Sequence, residues 1–222
     1  TNGGFANVYI VFAKVDGELF SAFIVERAFP GVTNGKEEHK MGLHGSSTTP
    51  VILQDVRVPA ENLLGEVGKG HKIAFNVLNF ARFKLGAMCN GGAQVAMGEA
   101  GRYAAERKQF GKPIKEFQAI QFKLADMAMR VGAGRALLHA AATAKDRGEH
   151  VTQFCAMSKL FASETAMRVT TEAIQILGGY GYVTDYPVER LFRDAKVTEI
   201  YEGTSEIQRI VIARELYSHS DR

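Results

Sequence analysis

Near residue 66 the apolar residues of this 222-residue chain change period, and the change sets what each part can fold into. Before it, short apolar runs are bounded by turn residues, the pattern of strands. Val8-Tyr9-Ile10-Val11-Phe12 reads as a buried strand, and Asp16-Gly17 then separates it from Leu19-Phe20-Ser21-Ala22-Phe23-Ile24-Val25. An Asp-Gly pair between two such runs is a strong hairpin signal. Pro50-Val51-Ile52-Leu53 and Val56-Arg57-Val58 supply a third extended stretch, which Pro59 ends. Three or four strands with no covering layer make an incomplete domain. The chain also opens on Thr1 without an initiator Met, so further residues are expected upstream.

After residue 66 the repeat is helical. Lys69 to about Arg107 predicts one long helix, closed by Gly111 and Pro113, with Gly86, Ala87, Gly91, Gly92 and Ala93 suggesting close helix contact. Phe117, Ile120, Leu124, Met127, Ala128 and Val131 form an i, i+3, i+4, i+7 stripe on a second helix, which Gly148 breaks. Phe154, Met157, Phe161 and Ile174 mark the core stripe of a third, ending at Gly178-Gly179. Pro187 opens a short helix to about Ala195, and Thr204 opens the last. Long helices joined by short connections form an up-down bundle. The expected fold is therefore α+β and mainly α: a partial antiparallel β domain over 1–65, then a helical bundle over 66–222.

Net charge +3 and pI near 8.8, with Lys and Arg spread among Asp and Glu, give no basic run for nucleic acid. Cys89 and Cys155 lack CxxC or disulfide-scaffold spacing, which points to a reducing compartment. The six histidines show no clustered ligand pattern, so no metal is expected. No apolar run approaches membrane-spanning length.

One segment carries chemistry. In Ile200-Tyr201-Glu202-Gly203-Thr204-Ser205-Glu206-Ile207-Gln208-Arg209 a carboxylate stands just before a helix. Thr204 or Ser205 suits the N-cap, and Ser205 with Gln208 fits a capping box. Orphan N–H groups there favour an ionised acid. An ionised glutamate shielded from water can take a proton from carbon, whereas a solvated one is merely a loop residue beside a cap. The decapeptide alone leaves both readings open.

A longer pattern bears on the choice. Gln175-Ile176-Leu177-Gly178-Gly179-Tyr180-Gly181-Tyr182 continues through Asp185, Arg190, Arg193 and Asp194 to Tyr201-Glu202-Gly203-Thr204. This resembles the C-terminal signature of the acyl-CoA dehydrogenase family. Arg107-Lys108-Gln109-Phe110-Gly111-Lys112-Pro113-Ile114 looks like its flavin-contacting segment. Lys40-Met41-Gly42 and Val56 through Gly65 look like its β-to-helix junction.

The resemblance implies α,β-dehydrogenation of a fatty acyl-CoA to the trans-2-enoyl-CoA, with FAD accepting hydride at N5. Glu202 matches the base, and the second family position for a base is Ala81 here. Asn79, Arg82, Gly203 and Arg214 match substrate-side positions. Thr1, Arg107, Gln109, Phe110, Gln118, Gln175, Gly178, Gly179, Thr204 and Glu206 match flavin contacts; Gln is frequent in the family where Glu206 stands. Gly178-Gly179 also reads as a plain helix C-cap. Arg107 through Phe110 and Gln175 through Gly179 would reach the flavin of a neighbouring subunit, which implies a homodimer or tetramer. Electron-transfer flavoprotein or a similar acceptor is the implied redox partner. The implied compartment is the cytoplasm of a bacterium or the mitochondrial matrix of a eukaryote. Val77 to Phe83 and Val25 to Gly31 resemble the long- to very-long-chain branch. An acyl-CoA oxidase-like flavoprotein, a non-catalytic assembly relative and a plain helical interaction module stand as alternatives.

Overall fold

The computed structural model describes residues 1–218 and divides the chain into two compact units, Thr1–Leu78 and Asn79–Arg222, the division falling inside the first long helix. In the first unit, β1 (Val8–Val15) and β2 (Leu19–Glu26) form the antiparallel hairpin signalled by Asp16-Gly17, with Val15 opposite Leu19. β2 carries the buried residues Ser21, Ala22 and Val25, whereas no residue of β1 is buried. The expected buried strand is thus half-exposed, because among the described residues β1 has a neighbour on one side only. β3 (Val32–Asn34) pairs with β4 (Val51–Leu53). Val56-Arg57-Val58, expected to be extended with it, lies outside β4; Asp55, at φ 51°, turns the chain away first. Arg27 ties the unit's start together, donating to the carbonyls of Gly4 and Ala6 and to Asn34 Oδ1.

The second unit is helical. α1 (Gly70–Glu106) enters it from the first, and α2 (Gln118–Asp146), α3 (Thr152–Leu177), α4 (Val188–Lys196) and α5 (Ser205–Ser218) follow. A two-rung hairpin, β5 (Lys108–Gln109) with β6 (Lys112–Pro113), links α1 to α2. α2 stops where the Gly148 N–H donates to Lys145 O and the Glu149 N–H to Ala144 O, the Schellman arrangement in which a glycine takes the left-handed position.

The core follows a seam of small residues. Ala93, Ala96, Ala100 and Ala104 of α1, spaced three and four apart, are fully buried against Ala162, Ala166, Val169 and Ala173 of α3 and Met127 and Val131 of α2. Gly86 is the close-contact glycine of α1. A Cβ there would stand 3.1 Å from Leu138 Cδ2 and 3.1 Å from the Ser158 carbonyl. Ala87 and Gly91 instead face outward, and a Cβ on Gly91 or Gly92 would meet nothing within 4 Å. On α3, Phe154 is exposed and Met157, Phe161 and Ile174 are half-buried. That helix has neighbours on several sides, so its buried positions go to residues small enough for close approach.

Candidate active site

The turn that holds Glu202 is built by its neighbours in sequence. Glu202 and Gly203 both take positive φ, 59° and 89°, a conformation unusual for a residue with a Cβ. Gln208, fully buried on the first turns of α5, reaches back with its amide nitrogen. It donates to Glu202 O at 3.1 Å and to Gly203 O at 2.9 Å. Thr204 is the N-cap: its hydroxyl accepts from the Ile207 N–H at 3.3 Å. The Ser205–Gln208 capping box does not form. α5 starts at Ser205, so Gln208 lies one residue beyond the position a box requires, and Ser205 Oγ is buried without a hydrogen-bond partner.

The Glu202 carboxylate is half-buried, and its Oε2 is enclosed with no hydrogen-bond partner. Burial raises its pKa above the ordinary carboxylate value, while Arg82 and Lys159 nearby pull it back down. The acidifying effect expected from the helix start is therefore outweighed by desolvation. Tyr201 alongside is pushed up to about 12, first by burial and then by the negative charge of its neighbours. Among the described residues the Glu202 backbone N–H makes no hydrogen bond.

Arg82 is 7% exposed, rather than lying on the bundle surface. Its guanidinium donates to Asn79 Oδ1 at 3.1 Å, Asn79 donates in turn to Thr152 Oγ1 at 3.1 Å, and Arg82 Nε has no partner. Glu202, Arg82 and Asn79 are thus brought into one neighbourhood. The sequence gives no role to Lys159, and it offers Gln208 as a capping-box residue where the structure makes it a clamp on the Glu202 turn. Lys159 had a signal: it sits four residues after Cys155 and three before Ala162, on a face that is otherwise buried. Thr204 and Glu206 join the same end of the bundle. They line a polar recess of ≈ 360 Å³ with Lys196, Glu199 and Arg209. Hydrogen bonds from its own backbone N–H and from the Thr204 hydroxyl hold the Glu206 carboxyl below the ordinary value.

The other candidate residues lie elsewhere. Arg107 stands about 37 Å from Arg82 along the axis of α1 at about 1.5 Å per residue. There its guanidinium lies over the Tyr180 ring, 5.9 Å from the centroid, and Tyr180 packs against Tyr103 and Tyr186. This contact ties Arg107 to the residue just after the 175–179 segment, within one chain. Phe110 is 93% exposed at φ 49°, edge-on to Phe117, and Gln109, Gln118, Gln175, Gly178 and Gly179 are exposed as well. A Cβ on Gly178 or Gly179 would meet nothing within 4 Å, so that surface is open to a ligand. Arg214 is exposed on α5, about 14 Å beyond Ser205 along the helix. Thr1 is exposed at the start of the first unit. Among the described residues no group of three or more metal-ligating side chains comes together.

Residues 68–217 match the family described as acyl-CoA dehydrogenase, C-terminal domain. The chain is 52% identical over 215 residues to the short-chain-specific acyl-CoA dehydrogenase of Megasphaera elsdenii, covering 95% of this chain and 56% of that protein. The solved butyryl-CoA dehydrogenase of the same organism superimposes with a TM-score of 0.95 at 52% identity, over 98% of this chain and 58% of that one. A chain in the structure described as the electron transferring flavoprotein of Acidaminococcus fermentans gives 0.94 at 49% identity, over 97% and 58%. The acyl-CoA dehydrogenase of Bacillus anthracis complexed with FAD gives 0.95 at 40% identity, over 99% and 41%. The chain spans little more than half the length of the curated relative.

Proposed function

The chain belongs to the acyl-CoA dehydrogenase family, and on that premise we propose that the whole protein removes the α and β hydrogens of an acyl-CoA, with Glu202 as the base for the α-proton. One observation carries the assignment. Glu202 is an enclosed, unpartnered carboxylate on a left-handed turn, facing two buried cations. Burial makes the carboxylate a stronger base, and the cations keep it ionised. The unoccupied Glu202 N–H is available to a thioester oxygen that gains negative charge as the α-proton leaves. Substrate binding would expel further water and strengthen both effects.

The residues fit FAD as cofactor. Bound flavin would supply the hydride acceptor, which no side chain provides. Thr204 and Glu206 would hold it at the Glu202 end, with Thr1 an expected contact. Arg107, Gln109, Phe110, Gln118, Gln175, Gly178 and Gly179 offer a guanidinium, an exposed ring, amides and open backbone at the far end of α1. The length of α1 between these groups supports the reading that the far set serves the flavin of a second copy, and so a homodimer or larger assembly. Arg82, with Asn79, would act on the substrate side of Glu202. Arg214, remote from it along α5, would meet only the outer part of the ligand.

We place the acyl group at the short end. The motifs at 77–83 and 25–31 suggested long chains, but the similar proteins carry short-chain and butyryl names, and the proposal follows them. Electron-transfer flavoprotein is the proposed acceptor, supported by the likeness to a chain in a structure whose description names the electron transferring flavoprotein of Acidaminococcus fermentans. The test is anaerobic mixing of the full-length flavoprotein with acyl-CoAs of increasing length, followed by flavin absorbance. Bleaching with butyryl-CoA, and a yellow but unresponsive Glu202→Gln variant, are expected. Bleaching in that variant would move the base elsewhere, and a preference for C16 over C4 would reject the short-chain assignment.

A further inference from the structure

The Arg107 guanidinium makes no hydrogen bond or ion pair among the described residues, yet it is held in place. It lies over the Tyr180 ring, 5.9 Å from the centroid, a cation–π contact. The main chain of Arg107 is tied as well: its N–H donates to Tyr103 O and its carbonyl accepts from the Ile114 N–H, each at 2.8 Å. Tyr180 is itself fixed from several elements. Tyr103 of α1 meets it at 6.2 Å and Tyr186, just before α4, at 5.6 Å between centroids. Those two rings pack edge-on against each other at 88°, and both lie against the hydrophobic core. The next residue, Gly181, is pressed to the main chain of α3, where a Cβ would stand 2.6 Å from Ile174 O. Tyr182, by contrast, has no ring contact among the described residues and is 86% exposed.

What holds an arginine decides what it can still bind. A carboxylate would fix the guanidinium by taking its N–H donors and cancelling its charge. An aromatic face fixes the guanidinium and leaves those donors free for an anion. From Arg107 to Lys115 the chain carries four cations and no carboxylate, so nothing within that stretch competes for them. The anionic group of FAD is its diphosphate, which suits the paired N–H donors of a guanidinium. Resting on the reading of Arg107 as a flavin contact, we propose that Tyr180 is a positioning residue: its ring holds the Arg107 guanidinium, donors uncommitted, for the diphosphate of the cofactor. Tyr103 and Tyr186 brace that ring. The contribution of Tyr180 is its ring face, so Phe serves in its place and an aliphatic side chain does not.

The experiment uses the full-length protein, stripped of flavin and titrated with FAD while flavin fluorescence is followed. Wild type is compared with Tyr180→Phe, Tyr180→Leu, Tyr182→Leu, Arg107→Gln and the double variant Tyr180→Leu/Arg107→Gln, with far-UV circular dichroism reporting folding. Tyr180→Leu should weaken FAD binding about fivefold, while Tyr180→Phe and Tyr182→Leu stay within about twofold of wild type. In the Arg107→Gln background Tyr180→Leu should cost nothing further, because the ring then has no cation to hold. An equal loss in both backgrounds would overturn the proposal, as would a folded Tyr180→Leu that binds FAD like wild type. A second measurement keeps the shape of the side chain. Tyr180→Phe carrying one, two or three ring fluorines should weaken FAD binding stepwise as the ring face loses negative charge. A flat series would overturn the proposal even where Tyr180→Leu does not fold. Wild type that takes up no FAD, or Arg107→Gln that binds it normally, would instead reject the flavin reading on which the proposal rests.

Discussion

Replacing Gly203 with Ala tests how the base-bearing turn is held. Gly203 adopts φ 89°, and a Cβ there would lie 2.7 Å from Gln208 Nε2 and 3.3 Å from Ile207 Cγ2. The left-handed conformation alone costs an L-residue about 1 kcal/mol. The clash adds more, because the Gln208 amide must retreat and loses its bonds to Glu202 O and Gly203 O, at about 1 kcal/mol each. The expected loss is about 3 kcal/mol. Gly148 supplies the control: it has φ 73°, and a Cβ on it would meet nothing within 4 Å. Gly148→Ala should therefore cost only about 1 kcal/mol. Urea unfolding followed by far-UV circular dichroism, extrapolated to water, gives both values on one scale. The gap of about 2 kcal/mol belongs to the Gln208 clamp. Equal losses in the two variants would refute the argument, since the amide would then have moved aside at no cost.

Glu202→Gln should raise stability at pH 7. Burial lifts the folded-state pKa of Glu202 above the ordinary carboxylate value, so wild type loses stability as pH rises from the unfolded value through the folded one. The amide variant escapes that loss, and thermal melts of the two should converge below pH 4 and separate towards neutrality; a constant offset across pH would contradict this. Ala100→Leu, in the fully buried seam, should destabilise by about 1 to 3 kcal/mol, while Ala87→Leu on the exposed side of α1 should stay within about 0.5 kcal/mol. Gly181→Ala should unfold more readily than Gly179→Ala in urea. A Cβ at 181 would lie 2.6 Å from Ile174 O, and at 179 it has open space. Flavin retention on gel filtration should show the reverse order of harm only if Gly179 contacts the cofactor.

The helices are legible because their apolar repeat and their Gly and Pro stops act locally, and each boundary those signals mark falls within a few residues of the helix end it predicts. β3 was not, since three residues are too short to display an alternation. The interior of α3 was misread for a different reason. Its buried positions hold Ser158, Lys159, Ser163, Thr165 and Thr170 beside the alanines, so a search for large apolar residues selects the outer positions Phe154 and Met157 instead. Glu202 was legible from its motif and its place before a helix. For Lys159 the signal is weak, its spacing from Cys155 and Ala162 alone, because an isolated lysine in sequence looks solvated. Gln208 fits half of a capping box in sequence because spacing cannot tell an N-cap from the residue after it.

A long helix that carries one cluster near its start and another at its end behaves as a ruler. Between Arg82 and Arg107, α1 makes about seven turns without interruption. Adding a single residue anywhere in that span would swing one cluster about 100° around the axis relative to the other and push it about 1.5 Å along. Exchanges of one side chain for another leave that spacing untouched, so this stretch should drift freely in outward-facing composition while its length stays frozen.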